Sequence, residues 1–148
     1  MSASALTLRE IAAAVEQVVS QPQGHAHGVF AASPPIIAVY LFGSFARGSE
    51  QRESDVDLGL LYAAALGGRL EDQPFLLEAE LSELLQRPVQ CVVMNLAPAD
   101  LVHRILRDQQ LLLDRDPSRR IRFEVAARNR YFDLKPVLDR YRRPERVA

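Results

Sequence analysis

Apolar and polar positions recur with a helical period in some segments of the 148-residue chain and form strand-like runs in others. After Thr7, apolar residues recur at helical spacing, and Thr7 with Glu10 has the form of a capping box. The run IIAVYLF is β-branched and aromatic and is bounded by two prolines and Gly43, which is typical of a buried strand. These criteria predict helices at 8–20, 74–86, 98–109 and 118–143, and strands at 36–42, 55–62, 88–96 and 110–116.

The order of these elements is α, β, β, α, β, α, β, α. It predicts an α+β fold in which a small mixed sheet has helices packed on one of its faces. The last helix is long, and Pro136 should bend or interrupt it because proline cannot donate a backbone hydrogen bond. The length is that of a single domain over 1–148, with a core at about 8–116 and a C-terminal helical segment at about 117–143.

Composition narrows the class of protein. Charged residues make up 25% and hydrophobic residues 48% of the chain, as in an ordinary globular domain. The N-terminus lacks the basic and apolar segments of a signal peptide, and the longest apolar runs are too short to cross a bilayer. The single cysteine, Cys91, cannot form an internal disulfide and suits a reducing compartment. These features predict a cytoplasmic protein.

The net charge is only −1, but the charges are unevenly distributed. Residues 50–83 are rich in carboxylates, which suggests cation binding, and the chain from Arg115 onward is rich in arginine. An arginine-rich tail suits an anionic partner surface or a nucleic acid, and it is equally typical of a solvated helix face. No basic stretch is interleaved with aromatic residues, so direct nucleic-acid binding is not expected.

The stretch GSFARGSEQRESDVDLGLLY carries the candidate chemistry. Its first residues, Gly43 and Ser44, end a strand and begin a short helical segment, so backbone N–H groups there would form an anion site. Gly43 would let an anion approach without a Cβ in the way, Ser44 would add a hydroxyl donor, and Arg47 would add a charge-assisted contact. Taken alone, a Gly-Ser pair after a strand is most often a plain turn.

Two carboxylates follow in the same stretch. Asp55 and Asp57 should point to one side of a strand while Val56 points into the core. At about 4 Å the two charges would repel by roughly 4 kcal/mol at an effective dielectric near 20, and Mg²⁺ would offset that repulsion. Alone, such a pair is more often surface charge. Beside a phosphate-binding turn, it predicts a nucleoside triphosphate held at Ser44 and metal-assisted attack at phosphorus.

The histidines are weaker candidates for a metal site. His25 and His27 form a His-x-His pair that could bind a metal, but no carboxylate or cysteine neighbours them in the sequence. His103 lies in the predicted 98–109 helix and is expected to be a surface or packing residue. The chain contains neither the Gly-Lys-Ser/Thr of a P-loop nor a Rossmann glycine fingerprint.

The spacing of Gly43-Ser44, ten residues, and Asp55-x-Asp57 resembles the signature of the polymerase-β-like nucleotidyltransferase superfamily. The compact size and the stretches LFGSFARG and SDVDLGLL resemble the minimal nucleotidyltransferases, or MNT proteins, of that superfamily. The later stretches APADLVHRILRDQQLLLDRD and RFEVAARNRYFDLKPVLDRY resemble the MNT antitoxins of HEPN/MNT toxin–antitoxin pairs. The resemblance covers about residues 36–142.

The resemblance implies a polymerase-β-like nucleotidyltransferase fold with a long C-terminal helix. It also implies a type VII-like antitoxin that transfers AMP from ATP, with Mg²⁺, to a tyrosine of a HEPN ribonuclease toxin and so silences it within a complex. On this basis Asp55 and Asp57 would be the catalytic, metal-binding residues. Gly43, Ser44 and Arg47 would bind the nucleotide and its phosphates.

One position departs from the pattern that the resemblance implies. A third carboxylate usually lies on a later strand of these proteins, and the matching residue in RPVQCVVMNL is Gln90. Glutamine is a neutral ligand and a poor base, and loss of a general base costs roughly 10²–10⁴-fold in rate.

Three hypotheses about the function therefore remain. The chain is a working adenylyltransferase antitoxin, or it is a catalytically weakened protein that neutralises the toxin by binding alone. In the third reading it is an enzyme that modifies a small molecule such as an aminoglycoside. That last activity would need a second domain to build the acceptor pocket, for which the chain has little room.

Overall fold

The computed structural model describes residues 5–20, 34–48, 54–65 and 74–142. The described helices are α1 Leu8–Val19, α2 Gly43–Arg47, α3 Phe75–Leu85, α4 Ala99–Asp108 and α5 Pro117–Arg142, and the strands are β1 Ile36–Phe42, β2 Val56–Tyr62, β3 Val89–Val93 and β4 Gln110–Asp114. The predicted order of elements is confirmed, and α2 is the short helical segment expected after Gly43. The strand β3 ends before the predicted residue 96, because the N–H groups of Leu96 and Ala97 turn back to the Val93 carbonyl, both at 3.1 Å.

The four strands form one mixed sheet in the order β3-β2-β1-β4. The central strand β1 runs antiparallel to both β2 and β4, whereas β2 and β3 are parallel. Parallel neighbours require a crossover connection, and α3 lies in that crossover between β2 and β3. The mixed sheet and the α+β class are therefore confirmed.

Helices cover both faces of the sheet, so the prediction of helices on one face was wrong. One apolar cluster joins α1 and α3 to Val39 and Leu41 of β1, and a second joins α4 and α5 to Ala38 and Tyr40 of the same strand. A strand that is apolar on both sides needs cover on both sides. The uninterrupted run IIAVYLF, without polar alternation, was the sequence signal for two covered faces.

The predicted capping box at the start of α1 is confirmed. The Thr7 hydroxyl accepts a hydrogen bond from the Glu10 N–H at 3.2 Å, and the Glu10 carboxylate accepts one from the Thr7 N–H at 2.7 Å. The backbone hydrogen bond from Thr7, followed by its side-chain hydrogen bond, lowers the pKa of Glu10. Both contacts satisfy amide donors that the first helical turn leaves without an internal partner.

A polar network holds α5 on the sheet. The buried Tyr40 hydroxyl donates to Glu124 of α5 at 3.0 Å, and Arg120 forms ion pairs at 3.0 Å with both Glu124 and Asp114 of β4. The helix continues through Pro136 to Arg142, so the predicted interruption there is not observed. Within the described residues, no helix is both long enough and apolar enough to cross a membrane.

The helix pair α4 and α5 is held by an aromatic contact. The His103 ring stacks on Tyr131 with centroids 3.6 Å apart and planes 5° apart, and Phe132 meets both rings at an edge. The expected packing role of His103 is confirmed. The other two histidines, His25 and His27, lie outside the described residues.

Candidate active site

The candidate site forms where β1 ends beside the start of β2. Phe42, the last residue of β1, pairs with Asp57 in the antiparallel register. The next residue, Gly43, has a φ of +74°, in the left-handed region that favours glycine. A methyl group built on Gly43 would lie 3.2 Å from the Asp57 Cγ and closer still to its Oδ2. The Asp57 carboxylate thus packs directly against the glycine turn.

Asp57 lies in β2 and Asp55 immediately precedes that strand, and the charge of Asp55 acts on Asp57, as expected for two carboxylates on one side of the chain. Val56 between them is fully buried in the opposite core cluster. Burial, and then the negative charge of Asp55, raise the pKa of Asp57, while the charge of Arg47 opposes that rise. The site therefore holds a carboxylate whose ionised form is disfavoured on balance, despite the nearby charge of Arg47.

Gln90 lies beside both aspartates. Parallel pairing places it opposite Asp57, and its Nε2 donates a long hydrogen bond of 3.4 Å to the Asp55 Oδ2. The structure thus brings the position expected for a third carboxylate to the carboxylate pair. An aspartate at position 90 could not donate this hydrogen bond and would add a third negative charge to the site.

The short helix α2 orients Ser44 and Arg47 at the same turn. Phe45 is buried beneath it, and Gly48 ends it with a φ of 68°. The residue that precedes α2, Phe42, offers no side-chain acceptor to the first amides of the helix. Ser44 is half-buried in the first turn, and Arg47 is exposed. The amides of this turn are thus left to be satisfied by solvent or by a ligand.

A pocket of about 170 Å³ lies between α2 and α4, next to Gly43. Two apolar residues of α4 form part of its wall, and the remaining lining residues are Phe42, Gly43, Arg47, Arg104, Arg107 and Asp108. Arg107 pairs with Asp108 at 3.0 Å, and that hydrogen bond lowers the pKa of Asp108, with Arg47 contributing to the shift. The positive charge of Arg47 therefore acts to lower the pKa of both Asp108 and Asp57.

Sequence reasoning missed Arg104 and Arg107 as site residues. Both lie on the predicted helix 98–109, whose apolar residues include Val102 and Ile105. The pattern therefore indicates that the two arginines are ordinary solvent-facing positions of that helix. No motif marks them. They reach the site because α4 packs across the end of β1, a contact between segments far apart in the sequence.

Arg87 is a further residue that sequence reasoning missed. Its guanidinium lies 5.5 Å from the centroid of the Phe45 ring in α2 and donates to the Ser54 carbonyl at 3.3 Å. The next residue, Pro88, accepts a hydrogen bond from the Val56 N–H at 2.9 Å. Arg87 therefore links the glycine-turn helix to the start of the strand that carries the aspartates.

The oxygen donors of this site fit a hard divalent cation. Two carboxylates on one side of β2 and the amide oxygen of Gln90 are ligand types that Mg²⁺ accepts. Within the described ranges, no group of three or more His, Cys, Asp or Glu is placed to hold a metal. The described chain would then supply Asp55 and Asp57, and further ligands would come from a phosphate and from water.

Several solved structures share this fold. A chain in the crystal structure of a toxin–antitoxin with AMP-PNP superposes with a TM-score of 0.64 at 19% identity, over 92% of this chain and 98% of that chain. A chain of the toxin–antitoxin MntA-HepT has a TM-score of 0.60 at 16% identity, over 90% and 97%. A third match is a chain in the structure of the tri-AMPylated Shewanella oneidensis HEPN toxin in complex with MNT antitoxin, with a TM-score of 0.53 at 20% identity, over 73% of this chain and 84% of that chain.

At these identities the likeness shows the fold alone. A search of curated protein sequences found no match. The family model for polymerase beta nucleotidyltransferases matches residues 26–118, which is more than half of the chain and includes the glycine turn, both aspartates and Gln90. The chain therefore belongs to the polymerase beta nucleotidyltransferase family.

Proposed function

We propose that this protein is the antitoxin of a HEPN/MNT toxin–antitoxin pair and transfers AMP from ATP to a tyrosine of its HEPN partner. The observation that carries the proposal is the contact between the Asp57 carboxylate and the Gly43 turn. It brings one carboxylate of the pair against a turn suited to phosphate. The toxin–antitoxin structures that share the fold, one with AMP-PNP and one tri-AMPylated, support the choice of partner and of nucleotide.

Each residue of the turn has a binding role in this proposal. The Ser44 hydroxyl and the first amides of α2 donate to phosphate oxygens, and Gly43 leaves room for them because it has no side chain. Arg47 adds a charge-assisted contact. Asp55 and Asp57 hold Mg²⁺, which supplies charge neutralisation at the phosphates when it is bound.

In the proposed reaction, the tyrosine oxygen of the partner attacks the α-phosphorus of ATP. A bond forms between that oxygen and phosphorus, the bond to the bridging oxygen of pyrophosphate breaks, and pyrophosphate leaves. The hydroxyl proton passes to water or to a carboxylate of the Asp55 and Asp57 pair, since the Gln90 amide cannot accept it. Gln90 instead orients Asp55 through its Nε2 hydrogen bond. We place the reaction in the cytoplasm, where a free thiol such as Cys91 stays reduced.

A second function is favoured by one observation. An amide rather than a carboxylate stands beside the aspartates at position 90. If the chain has lost its proton acceptor, it would neutralise the toxin by binding alone, with the arginine-rich α5 as part of the interface. A protein of that kind would still inhibit its partner after both aspartates were replaced.

Intact mass spectrometry of the co-expressed HEPN partner tests the proposal. The partner is incubated with ATP, Mg²⁺ and wild type, Asp57→Asn or Gln90→Asp. Asp133→Asn serves as the matched control because Asp133 is an exposed aspartate of α5, remote in sequence from the site. We expect the partner to gain whole AMP units with wild type and with Asp133→Asn, and to gain none with Asp57→Asn.

The other outcomes separate the two functions. A gain with Gln90→Asp but not with wild type would identify a protein that has lost its catalytic base. No gain with any variant, together with full inhibition of the toxin by the Asp55→Asn/Asp57→Asn double variant, would overturn the transferase proposal in favour of neutralisation by binding.

A further inference from the structure

The strand β3 is an edge of the sheet, and side chains of α3 bind its outward amides. In the described part of the chain β3 pairs with no strand other than β2, so its N–H groups that face away from β2 have no strand partner. The Val89 N–H donates instead to the Ser82 hydroxyl at 3.0 Å, and the Cys91 N–H donates to the Glu78 carboxylate at 2.8 Å. Two side chains one helical turn apart thus take the place of a neighbouring strand.

These two hydrogen bonds bracket Gln90. It lies between the two capped residues, and its register partner on β2 is Asp57. Strand side chains alternate between the faces of a sheet, so Val89 packs into the cluster of α1 and α3 while Gln90 points to the other face. There the Gln90 Nε2 donates to the Asp55 Oδ2. The helix α3 therefore acts on Gln90 from across the sheet, through the backbone of β3.

The hydrogen bond of Gln90 to Asp55 depends on the position of that backbone. The Gln90 side chain is exposed, so little packing holds it. Its hydrogen bond is 3.4 Å long, beyond the usual range of about 2.7–3.2 Å, so a small outward movement of β3 would break it. The helix α3 is a firm anchor against such movement, because its residues Leu77 and Leu81 are buried in the core.

The contact of Glu78 is with the backbone of Cys91 and does not activate the thiol. Burial, and then the charge of Glu78, raise the pKa of Cys91. The thiol therefore stays protonated, and a protonated thiol is a poor nucleophile. A carboxylate that accepts from a backbone N–H makes a charge-assisted hydrogen bond, which is stronger than the neutral bond of Ser82. Glu78 is thus the stronger of the two caps.

From these contacts we propose that Glu78, supported by Ser82, is a positioning residue of the candidate site: it holds β3 where Gln90 can orient Asp55. The consequence for AMP transfer rests on the proposed function. The coupling from α3 to Gln90 does not, because it is present in the protein without nucleotide or metal.

Nuclear magnetic resonance of the full-length chain without ligand tests this coupling. The ¹⁵N–¹H signals of the Gln90 side-chain amide are assigned by their absence from Gln90→Ala. They are then compared in wild type, Glu78→Ala, Glu78→Gln and Ser82→Ala. Glu83→Ala is the matched control, because it removes an exposed carboxylate from the same helix.

We expect the Gln90 amide signals to shift in Glu78→Ala toward those of a solvated glutamine, and to shift less in Ser82→Ala. They should return toward their wild-type positions in Glu78→Gln, whose amide oxygen can still accept from the Cys91 N–H. They should not move in Glu83→Ala. Unmoved Gln90 signals in both Glu78→Ala and Ser82→Ala would overturn the inference. A loss of stability alone would not support it, since any lost hydrogen bond has that effect.

A double-mutant cycle on AMP transfer tests the consequence for the site. Glu78→Ala should lower kcat about tenfold with KM for ATP unaltered, as for a misplaced catalytic group. The Glu78→Ala/Gln90→Ala double variant should be no slower than Gln90→Ala alone, because Glu78 acts through Gln90. The same fractional loss in both backgrounds would overturn the inference, since independent sites have additive effects.

Failure of the inference and failure of the proposed function give different results. If the Gln90 signals respond to Glu78→Ala but wild type transfers no AMP, the positioning role stands and the transferase function is wrong. If AMP is transferred and the signals do not respond, the positioning role is wrong and the function stands. If neither is observed, both are wrong.

Discussion

The Asp57 carboxylate lies in the space that a side chain at Gly43 would need. Two residues fourteen positions apart in the sequence therefore constrain each other, since the turn must be glycine for the strand to carry the aspartate there. Register pairing of Phe42 with Asp57 fixes this geometry from the backbone. The contact joins the glycine turn and the Asp57 carboxylate into one candidate site.

Gly43→Ala should abolish activity by displacing Asp57. Alanine at a φ of +74° costs about 1–2 kcal/mol in backbone conformation, and its Cβ also meets the carboxylate. We expect AMP transfer to fall at least about 100-fold, as for a misplaced catalytic group. Mass spectrometry of the partner measures the transfer, and chemical denaturation measures the free energy of unfolding.

Gly48→Ala is the matched control for that variant. Gly48 has a similar φ of +68°, but a Cβ there meets no atom within 4 Å among the described residues. Gly48→Ala should lower the free energy of unfolding by about the same 1–2 kcal/mol from the backbone, and it should retain most of the rate of AMP transfer. If both variants lose transfer equally, the effect belongs to the backbone of α2 and not to the contact with Asp57.

Asp57→Asn should stabilise the protein when no metal is present. Burial and the charge of Asp55 raise the pKa of Asp57, so its ionised form opposes folding at neutral pH. Relative to Asp57→Asn, wild type should lose stability as the pH rises through the raised pKa, and the difference should vanish in acid. Thermal unfolding across pH measures this.

Added Mg²⁺ should raise the melting temperature of wild type and leave that of Asp57→Asn nearly unchanged. Asp133→Asn should respond to Mg²⁺ as wild type does. Equal responses of all three proteins would show that the cation binds away from the aspartate pair.

Tyr40→Phe should destabilise the fold by about 1.5 kcal/mol. The buried hydroxyl donates to the Glu124 carboxylate at 3.0 Å, and hydrogen bonds to charged groups are worth about this amount. Phenylalanine fills the same space, so no cavity contributes to the loss. Tyr141→Phe, at a tyrosine that is 85% exposed, should leave the free energy of unfolding unchanged. Equal stability of Tyr40→Phe and wild type would mean that α5 is held by packing alone.

Arg87→Met should slow AMP transfer more than it weakens nucleotide binding. The change removes the guanidinium that contacts Phe45 and Ser54 and keeps much of the apolar stem. We expect a loss of stability of about 1 kcal/mol and a fall in kcat of about tenfold, since the carboxylates would shift against the turn. Arg87→Lys should recover part of kcat. A change in KM alone, with kcat unaltered, would exclude a positioning role.

Local patterns in the sequence were sufficient to predict the helices and strands and to locate the main motif. The capping box at Thr7, the strand over 36–42 and the Gly43-Ser44 and Asp55-x-Asp57 spacing each depend on neighbouring residues. Gln90 was found because its strand could be aligned with a family pattern. Register pairing in the structure then placed Gln90 opposite Asp57.

Local sequence patterns could not predict the contacts between segments that are far apart in the sequence. The helix that carries Arg104 could have packed on either face of the sheet, and periodicity does not say which. Arg87 follows a predicted helix with nothing in its neighbourhood to mark it, yet it meets both Phe45 and Ser54. The apolar run of β1 did indicate two covered faces, but it could not say which helices cover each of them.

The sequence by itself determined which residues are the candidates for the chemistry, because a Gly-Ser turn followed by Asp55-x-Asp57 combines donors for phosphate with carboxylates for a cation. The tertiary structure alone decided that the Asp57 carboxylate would contact Gly43 and that arginines of α4 would line the adjoining pocket. Side-chain periodicity reports only the local burial of each element. The relative placement of elements depends instead on strand register and on which apolar faces meet, and those are settled only when the whole core packs.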